Sequence, residues 1–143
     1  NLDEYVINHA IKNDKPLLGI CLGFQIMCSM FSKERERYDM TIALPNNDHY
    51  KPNIKNAHKI KIKENTLLKS ILKEKEITVN SVHHSYINNE LKGLVISSYS
   101  EDGVLESVEY PNKKFIMGLQ WHPEYIMDDN SCKIFNYFIK MCK

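Results

Sequence analysis

The chain has few of the residues that build disulfide or metal scaffolds, and it has no long hydrophobic run. Its 143 residues include four cysteines, and none of them forms a Cys-x-x-Cys pair. This excludes a disulfide-rich fold and a zinc knuckle. No stretch approaches the roughly 18 apolar residues that span a bilayer, so no membrane partner is expected. With 19 basic and 18 acidic residues, the formal charge is only +1, and no nucleic-acid partner is expected either.

Targeting and cofactor signals are also missing. No signal peptide is visible, so the expected compartment is cytoplasmic. The six histidines lack metal-ligand spacing except for the adjacent pair His83-His84, and neither a metal nor an organic cofactor is implied. Cys28 and Cys132 lie in apolar helical patterns and are expected to be buried as small hydrophobic side chains.

Helical and strand patterns alternate along the chain, and together they predict an α/β fold. Apolar spacing predicts four helices, at 2–13, after Cys21, at 67–72 and after a cap at 128–131. Short apolar or alternating runs predict strands at 17–20, 58–63, 77–79, 94–99, 104–110 and 115–119. Asp102-Gly103 predicts a hairpin between two of these strands. The charge run at 33–37 is expected to be a solvated helix end, and 45–52 a loop.

The segment around Cys21 has the pattern of a nucleophile on a sharp strand-to-helix turn. Glycines stand two positions either side of it, at Gly19 and Gly23, as in the Gly-x-Ser-x-Gly elbow. Their expected role is steric, since the turn is strained and its neighbours approach closely. A helix beginning after Cys21 would favour the thiolate and lower the cysteine pKa. The backbone N–H of Leu22 would then be one oxyanion donor.

A thiol nucleophile needs a base, and His122 is the candidate. It follows an apolar strand, where catalytic groups collect in α/β folds, and Pro123 stiffens the chain behind it. In extended geometry Glu124 points to the same side as His122 and can bond one ring nitrogen, leaving the other for Cys21. Each motif alone is common in inert turns and loops, but both together, each after a strand, favour catalysis. An enzyme of the α/β-hydrolase fold fits less well, because there the acid precedes the histidine by a long interval.

Two segments, GICLGFQ (19–25) and GLQWHPE (118–124), resemble the signature motifs of class I glutamine amidotransferases and the related gamma-glutamyl hydrolases. VNSVHHSYI (79–87) and the run from 98 to 124 look most like the gamma-glutamyl hydrolase branch. The resemblance implies a three-layer αβα, flavodoxin-like fold and a small-molecule gamma-glutamyl substrate. It covers most of the chain apart from roughly 32–56.

The resemblance also implies residue roles. Cys21 matches the nucleophile that forms a gamma-glutamyl thioester, His122 the general base and Glu124 the residue that orients it. Gln25 matches a position that helps to hold the glutamyl group. His83 or His84 matches a histidine near the pocket of the hydrolase branch, although a structural role at a strand end is equally expected for that pair.

The chain also departs from the family pattern. Leu22 stands where the hydrolases often have arginine and where amidotransferases have leucine. Residues 32–34 lack the glycine pair that is usual in the hydrolases. The chain begins in a helical pattern at Asn1, so residues 1–143 are expected to be one N-terminally truncated domain without the first strands and one oxyanion-hole loop. Two alternatives therefore stay open: a glutaminase that delivers ammonia to a synthase partner, and a non-catalytic module that retains the fold.

Overall fold

The computed structural model describes residues 1–33, 41–43, 49–87 and 90–143. Of the predicted charged helix end and loop, residues 34–37 and 45–48 lie outside the described residues. The helices are α1 (Leu2–Asn13), α2 (Leu22–Met30), α3 (Leu67–Leu72), α4 (Pro123–Ile126) and α5 (Asp129–Cys142). The strands are β1 (Leu17–Ile20), β2 (Thr41–Ala43), β3 (His58–Ile62), β4 (Glu76–Val79), β5 (Ser85–Ile87), β6 (Val95–Ser100), β7 (Leu105–Glu109) and β8 (Ile116–Leu119).

Six strands form one mixed sheet in the order β1-β8-β7-β6-β3-β4. The β1–β8 pair is parallel, whereas the remaining neighbours are antiparallel. The predicted hairpin joins β6 to β7, and its Gly103 has a φ of 83°, a conformation that favours glycine. Strands β2 and β5 form a separate antiparallel pair that the sequence patterns did not predict.

Helices pack on both faces of the large sheet, which gives the predicted three layers. Alternate residues of a strand point to opposite faces, and β8 shows this directly. Met117 and Leu119 join the core that packs against α3 and α5, whereas Ile116 joins the core that contains residues of α1 and α2. Strand β8 is buried along its length, so it is the shared centre of both cores.

Several burial predictions need correction. The apolar spacing that predicts α1 groups Leu2, Val6, Ile7 and Ala10 on one face, but that face is only partly covered. Ile7 and Ala10 are buried, while Leu2 and Val6 are 74% and 47% exposed. On α5, the sequence spacing groups Ile139 with the apolar Ile134, Phe135 and Phe138, but Ile139 is 52% exposed. Ile134, Tyr137, Phe138 and Met141 form the stripe of α5 that packs on the core, and Ile139 lies outside this stripe. Cys28 is buried as expected, whereas Cys132 is only half-buried.

Strand β3 shows the predicted alternation, with Ile60 and Ile62 buried and the intervening lysines exposed. None of the helices in the described residues is long and apolar enough to cross a membrane.

Candidate active site

Cys21 occupies the turn between β1 and α2. Its φ of 49° and ψ of −97° are unusual for a residue with a side chain, and such strain is often found at functional sites. The backbone N–H of Cys21 donates to the Leu119 carbonyl at 2.8 Å, and its own carbonyl accepts from the Gln25 N–H at 3.0 Å. The turn is therefore fixed on one side by β8 and on the other by the first turn of α2.

The two glycines that flank Cys21 have different surroundings. A Cβ added at Gly19 would lie 3.0 Å from the Gly23 carbonyl carbon and 3.0 Å from the Met27 Sδ atom, so the strand-to-helix approach requires glycine there. A Cβ added at Gly23 would meet nothing within 4 Å. The steric prediction therefore holds for Gly19, whereas at Gly23 only the backbone is closely packed.

The environment of the Cys21 thiol differs from the electrostatic expectation. Burial raises its pKa, and the charges of Glu124 and Glu106 raise that pKa further. Hydrogen bonds from the Leu22 backbone N–H and from the Gln120 side chain act in the opposite direction but do not reverse the shift. The prediction of a lowered Cys21 pKa is not supported, because the loss of solvent around the thiol raises the pKa by more than the N–H groups at the start of α2 lower it. A thiol in this position needs a base to accept its proton.

His122 and Glu124 form a hydrogen-bonded pair. The His122 Nδ1 atom lies 2.6 Å from the Glu124 Oε1 atom, so the carboxylate accepts the Nδ1 proton and leaves Nε2 as the basic nitrogen. The geometry is not the extended one expected from the sequence. His122 is the N-cap of α4 and Pro123 is its first residue, so a helical turn brings Glu124 back to the ring. Tyr125 stacks on the imidazole, with ring centroids 4.9 Å apart.

Asn80 fixes the backbone of His122 and was not singled out from the sequence. Its Oδ1 atom accepts from the His122 N–H at 2.8 Å, and its Nδ2 atom donates to the His122 carbonyl at 2.9 Å. Asn80 is buried just after the end of β4, a strand at the opposite edge of the sheet from β1. Its place in the VNSVHH segment is the only sequence signal that could have found it.

Gln120 connects the nucleophile to Gln25. It is fully buried, and its Nε2 atom lies 3.7 Å from the Cys21 Sγ atom. Its Oε1 atom accepts from the Gln25 Nε2 atom at 3.3 Å, and Gln25 also reaches the Ser85 carbonyl at 3.5 Å. The Gln25 side chain is therefore linked to the nucleophile through Gln120, and its role in holding the glutamyl group stays a prediction. Gln120 is a further candidate for shaping the site.

The two adjacent histidines point to different surroundings. His83 is buried, and its Nδ1 atom donates to the Ser85 carbonyl at 2.7 Å. Its ring centroid lies 5.0 Å from that of His49, and burial lowers its pKa. His84 is exposed and stacks on Tyr50 at 3.9 Å. Neither of these contacts involves the Cys21 thiol, so a substrate-binding role for the pair stays a prediction.

The parallel pairing of β1 and β8 places the predicted catalytic segments together at the carboxyl ends of these two strands. Ile20 pairs with Leu119, so Cys21 and Gln120 follow their strands side by side and His122 comes two residues later. The arrangement combines a thiol, a carboxylate-held imidazole and the first N–H groups of α2. Leu22, the predicted oxyanion donor, is the first residue of α2 and its side chain is 64% exposed.

The sequence matches the profile of the Peptidase C26 family over residues 1–124, and the chain belongs to that family. A glutamine amidotransferase-like protein of Rickettsia prowazekii is 31% identical over a gapped alignment of 179 positions, which covers 96% of this chain and 64% of that protein. The gamma-glutamyl-gamma-aminobutyrate hydrolase of Escherichia coli is 28% identical, with 99% of this chain and 59% of that enzyme covered. The predicted family resemblance is therefore confirmed.

Solved structures confirm the class of fold. The glutaminase domain of Trypanosoma brucei CTPS, solved with bound acivicin, superimposes with a TM-score of 0.65 at 19% sequence identity, covering 94% of this chain and 64% of that chain. This likeness concerns the α/β fold, which is that of glutamine amidotransferase domains. The chain spans less than two thirds of the length of these relatives.

Proposed function

We propose that this member of the Peptidase C26 family hydrolyses gamma-glutamyl amide bonds through a cysteine thioester. The observation that carries the proposal is that the strained Cys21 elbow and the hydrogen-bonded His122–Glu124 pair follow neighbouring parallel strands, β1 and β8, at the same end of the sheet. Similarity to a gamma-glutamyl-gamma-aminobutyrate hydrolase supports the same substrate class.

In the proposed mechanism His122 Nε2 takes the Cys21 proton while the sulfur attacks the gamma-carbonyl carbon. Because burial keeps the thiol protonated, this proton transfer is needed for attack. The Leu22 N–H, which hydrogen-bonds the sulfur, is the proposed donor to the oxyanion. The protonated imidazole then gives its proton to the leaving amine, and a gamma-glutamyl thioester remains.

Water completes the proposed cycle. His122 removes a proton from the water as it attacks the thioester carbonyl, and the tetrahedral intermediate collapses to glutamate and the free Cys21 thiol. Glu124 keeps Nε2 available by accepting a hydrogen bond from the Nδ1–H group, and the carboxylate itself stays unprotonated. Gln25 and Gln120 lie where they can orient the glutamyl group next to the sulfur.

Labelling with a glutamine-mimicking chloroketone tests the nucleophile. We expect one equivalent to attach to Cys21, located by peptide mass spectrometry, and free glutamine to slow the reaction. His122→Asn should slow the labelling at least about 100-fold because the base is lost, whereas Cys142→Ala, which removes an exposed thiol, should change nothing. If the most exposed cysteines were labelled fastest and glutamine gave no protection, the result would contradict the proposal and favour a non-catalytic module.

A second candidate function is ammonia delivery from glutamine to a synthase partner. Leu22 favours it, because amidotransferases carry leucine at this position and the hydrolase branch often carries arginine. Turnover of glutamine and of gamma-glutamyl amines by the isolated chain separates the two functions. Release of the amine without any partner supports the hydrolase, and glutamine turnover only beside a synthase supports the amidotransferase. Cys21→Ala must abolish either activity.

A further inference from the structure

A cluster of buried polar side chains lies outside the proposed Cys21–His122–Glu124 triad, and the proposed chemistry gives none of them a role. It consists of His49, His58 of β3 and Glu106 of β7, and we call it the His49–His58–Glu106 cluster. Glu106 is fully buried in the sheet and His49 is 3% exposed. Buried carboxylates are costly unless they are paired or bind a metal, so this cluster needs an explanation.

The hydrogen bonds of the two histidines fix where their protons lie. The His49 Nε2 atom lies 2.8 Å from the Asp102 carboxylate, and the His58 Nδ1 atom lies 3.3 Å from the Lys59 carbonyl. Since both partners accept, each of these nitrogens carries the proton. The other oxygen of that carboxylate, Asp102 Oδ1, accepts from the Ser100 hydroxyl.

The remaining ring nitrogens therefore carry lone pairs, and both face the same oxygen. His49 Nδ1 lies 3.4 Å from Glu106 Oε1, and His58 Nε2 lies 3.3 Å from that atom. Within the described part of the chain, none of these three atoms makes a hydrogen bond. With one proton on each ring, three acceptors converge with no donor between them, which is unfavourable unless a cation or a second ring proton occupies the space.

The distances fit a first-row transition metal. Ligand atoms about 2.1 Å from a tetrahedral Zn²⁺ ion lie about 3.4 Å from one another, close to the two separations between a histidine nitrogen and Glu106 Oε1. The three ligand atoms all lie within 4.8 Å of one another. Two imidazoles and a carboxylate form a donor set typical of zinc and its neighbours. Asp102 would hold the outer nitrogen of His49, as carboxylates do behind zinc-bound histidines.

A surface cavity of about 190 Å³ reaches the cluster, lined by residues that include His49, His58, Ser100 and Asp102. It provides an entry path to the two histidines, whereas Glu106 lies behind them. We propose that the His49–His58–Glu106 cluster binds one divalent transition-metal ion, with Zn²⁺ as its best-fitting occupant. The backbone carbonyl of Glu106 accepts from the Gln120 N–H at 2.8 Å, so a bound ion would stiffen the strand that supports Gln120.

Metal binding to the full chain, purified without a histidine tag, tests the proposal. Titration calorimetry should show one equivalent of Zn²⁺, and Zn²⁺ should raise the Tm by a few degrees. His58→Asn and Glu106→Gln should each weaken binding at least about 100-fold, and Asp102→Asn about 10- to 100-fold. His9→Asn, an exposed histidine on α1, is the matched control and should bind like the parent chain.

The Co²⁺ form gives an independent readout. It should show d–d bands without a sulfur-to-cobalt charge-transfer band, which separates the cluster from adventitious binding at the cysteines. Absence of stoichiometric binding would overturn the proposal. A second proton on His49, at the Nδ1 atom that faces Glu106, would then be the cation that pairs with the buried carboxylate. Unchanged affinity in both His58→Asn and Glu106→Gln would overturn it as well, and the far-UV circular dichroism of each variant shows whether it has folded.

Discussion

Gly19 sets how closely α2 approaches β1, and through that approach it sets the position of the Cys21 thiol. Its missing Cβ leaves space for the backbone of Gly23 and for the Met27 side chain, both at 3.0 Å from where that atom would be. A flexible methionine can move, but a helix backbone can move only with its whole first turn. The turn that carries the nucleophile therefore depends on one missing methyl group.

Gly19→Ala should lower the free energy of unfolding by about 1–3 kcal/mol, because the added methyl group overpacks the turn. Gly23→Ala is the matched control. Since it has open space and a helical position, it should be neutral or stabilising by up to about 1 kcal/mol. Urea denaturation followed by circular dichroism measures both. Equal effects of the two substitutions would contradict the steric explanation.

Protonation at Cys21 shows what sequence reasoning can miss at a single residue. A cysteine before a helix is expected to be acidic, yet burial and the carboxylates of Glu124 and Glu106 raise its pKa. Glu124 lies near in sequence to the histidine motif, but Glu106 reaches the site only through the pairing of β7 with β8. The local motif predicts the nucleophile, whereas its electrostatics depend on the assembled sheet.

At the scale of elements, Asn80 ties the end of β4 to the residue that carries the proposed base. It pairs with both the N–H and the carbonyl of His122, so the imidazole is held by a side chain from the far edge of the sheet. We consider Asn80 a positioning residue. If this is its role, its loss should slow the chemistry without weakening binding.

Asn80→Asp should lower the maximal rate of chloroketone labelling at Cys21 by at least about tenfold, with little change in the concentration for half-saturation. The aspartate keeps the acceptor for the His122 N–H but loses the donor to the carbonyl, which also costs about 1–3 kcal/mol of stability. Asn53→Asp, on an exposed loop, is the control. A change in half-saturation alone would indicate that Asn80 contacts the substrate instead.

Most elements were predictable because their signals are local. The elbow at Cys21 and the Asp102-Gly103 hairpin each depend on residues close together in the chain. The strand order, the β2–β5 pair and the His49–His58–Glu106 cluster were not predictable, because they depend on contacts between segments far apart. The contact of His122 with Glu124 was predicted for an extended chain, but Pro123 begins a helix and gives the same contact by another geometry.

At the scale of the whole molecule, β8 belongs to both cores. Met117 and Leu119 face the α3–α5 side, whereas Ile116 faces the side of α1 and α2. Loosening either core would expose one face of β8, and with it the strand that carries the His122 segment. This coupling supports the prediction that residues 1–143 form a single domain, which equilibrium unfolding can test directly.

One probe in each core tests the coupling. Trp121, the only tryptophan in the chain, is 2% exposed in the α3–α5 core, and Cys28 is 0% exposed in the other. In a chain with Cys21→Ser, Cys132→Ser and Cys142→Ser, Cys28 is the only thiol that a disulfide reagent can modify. Trp121 fluorescence and Cys28 reactivity should then give the same urea midpoint, because a cooperative domain exposes both cores together.

Circular dichroism of the triple variant before denaturant is added shows that it has folded. If Cys28 became reactive at a urea concentration where Trp121 emission is still native, the two cores would unfold separately and the single-domain prediction would be wrong.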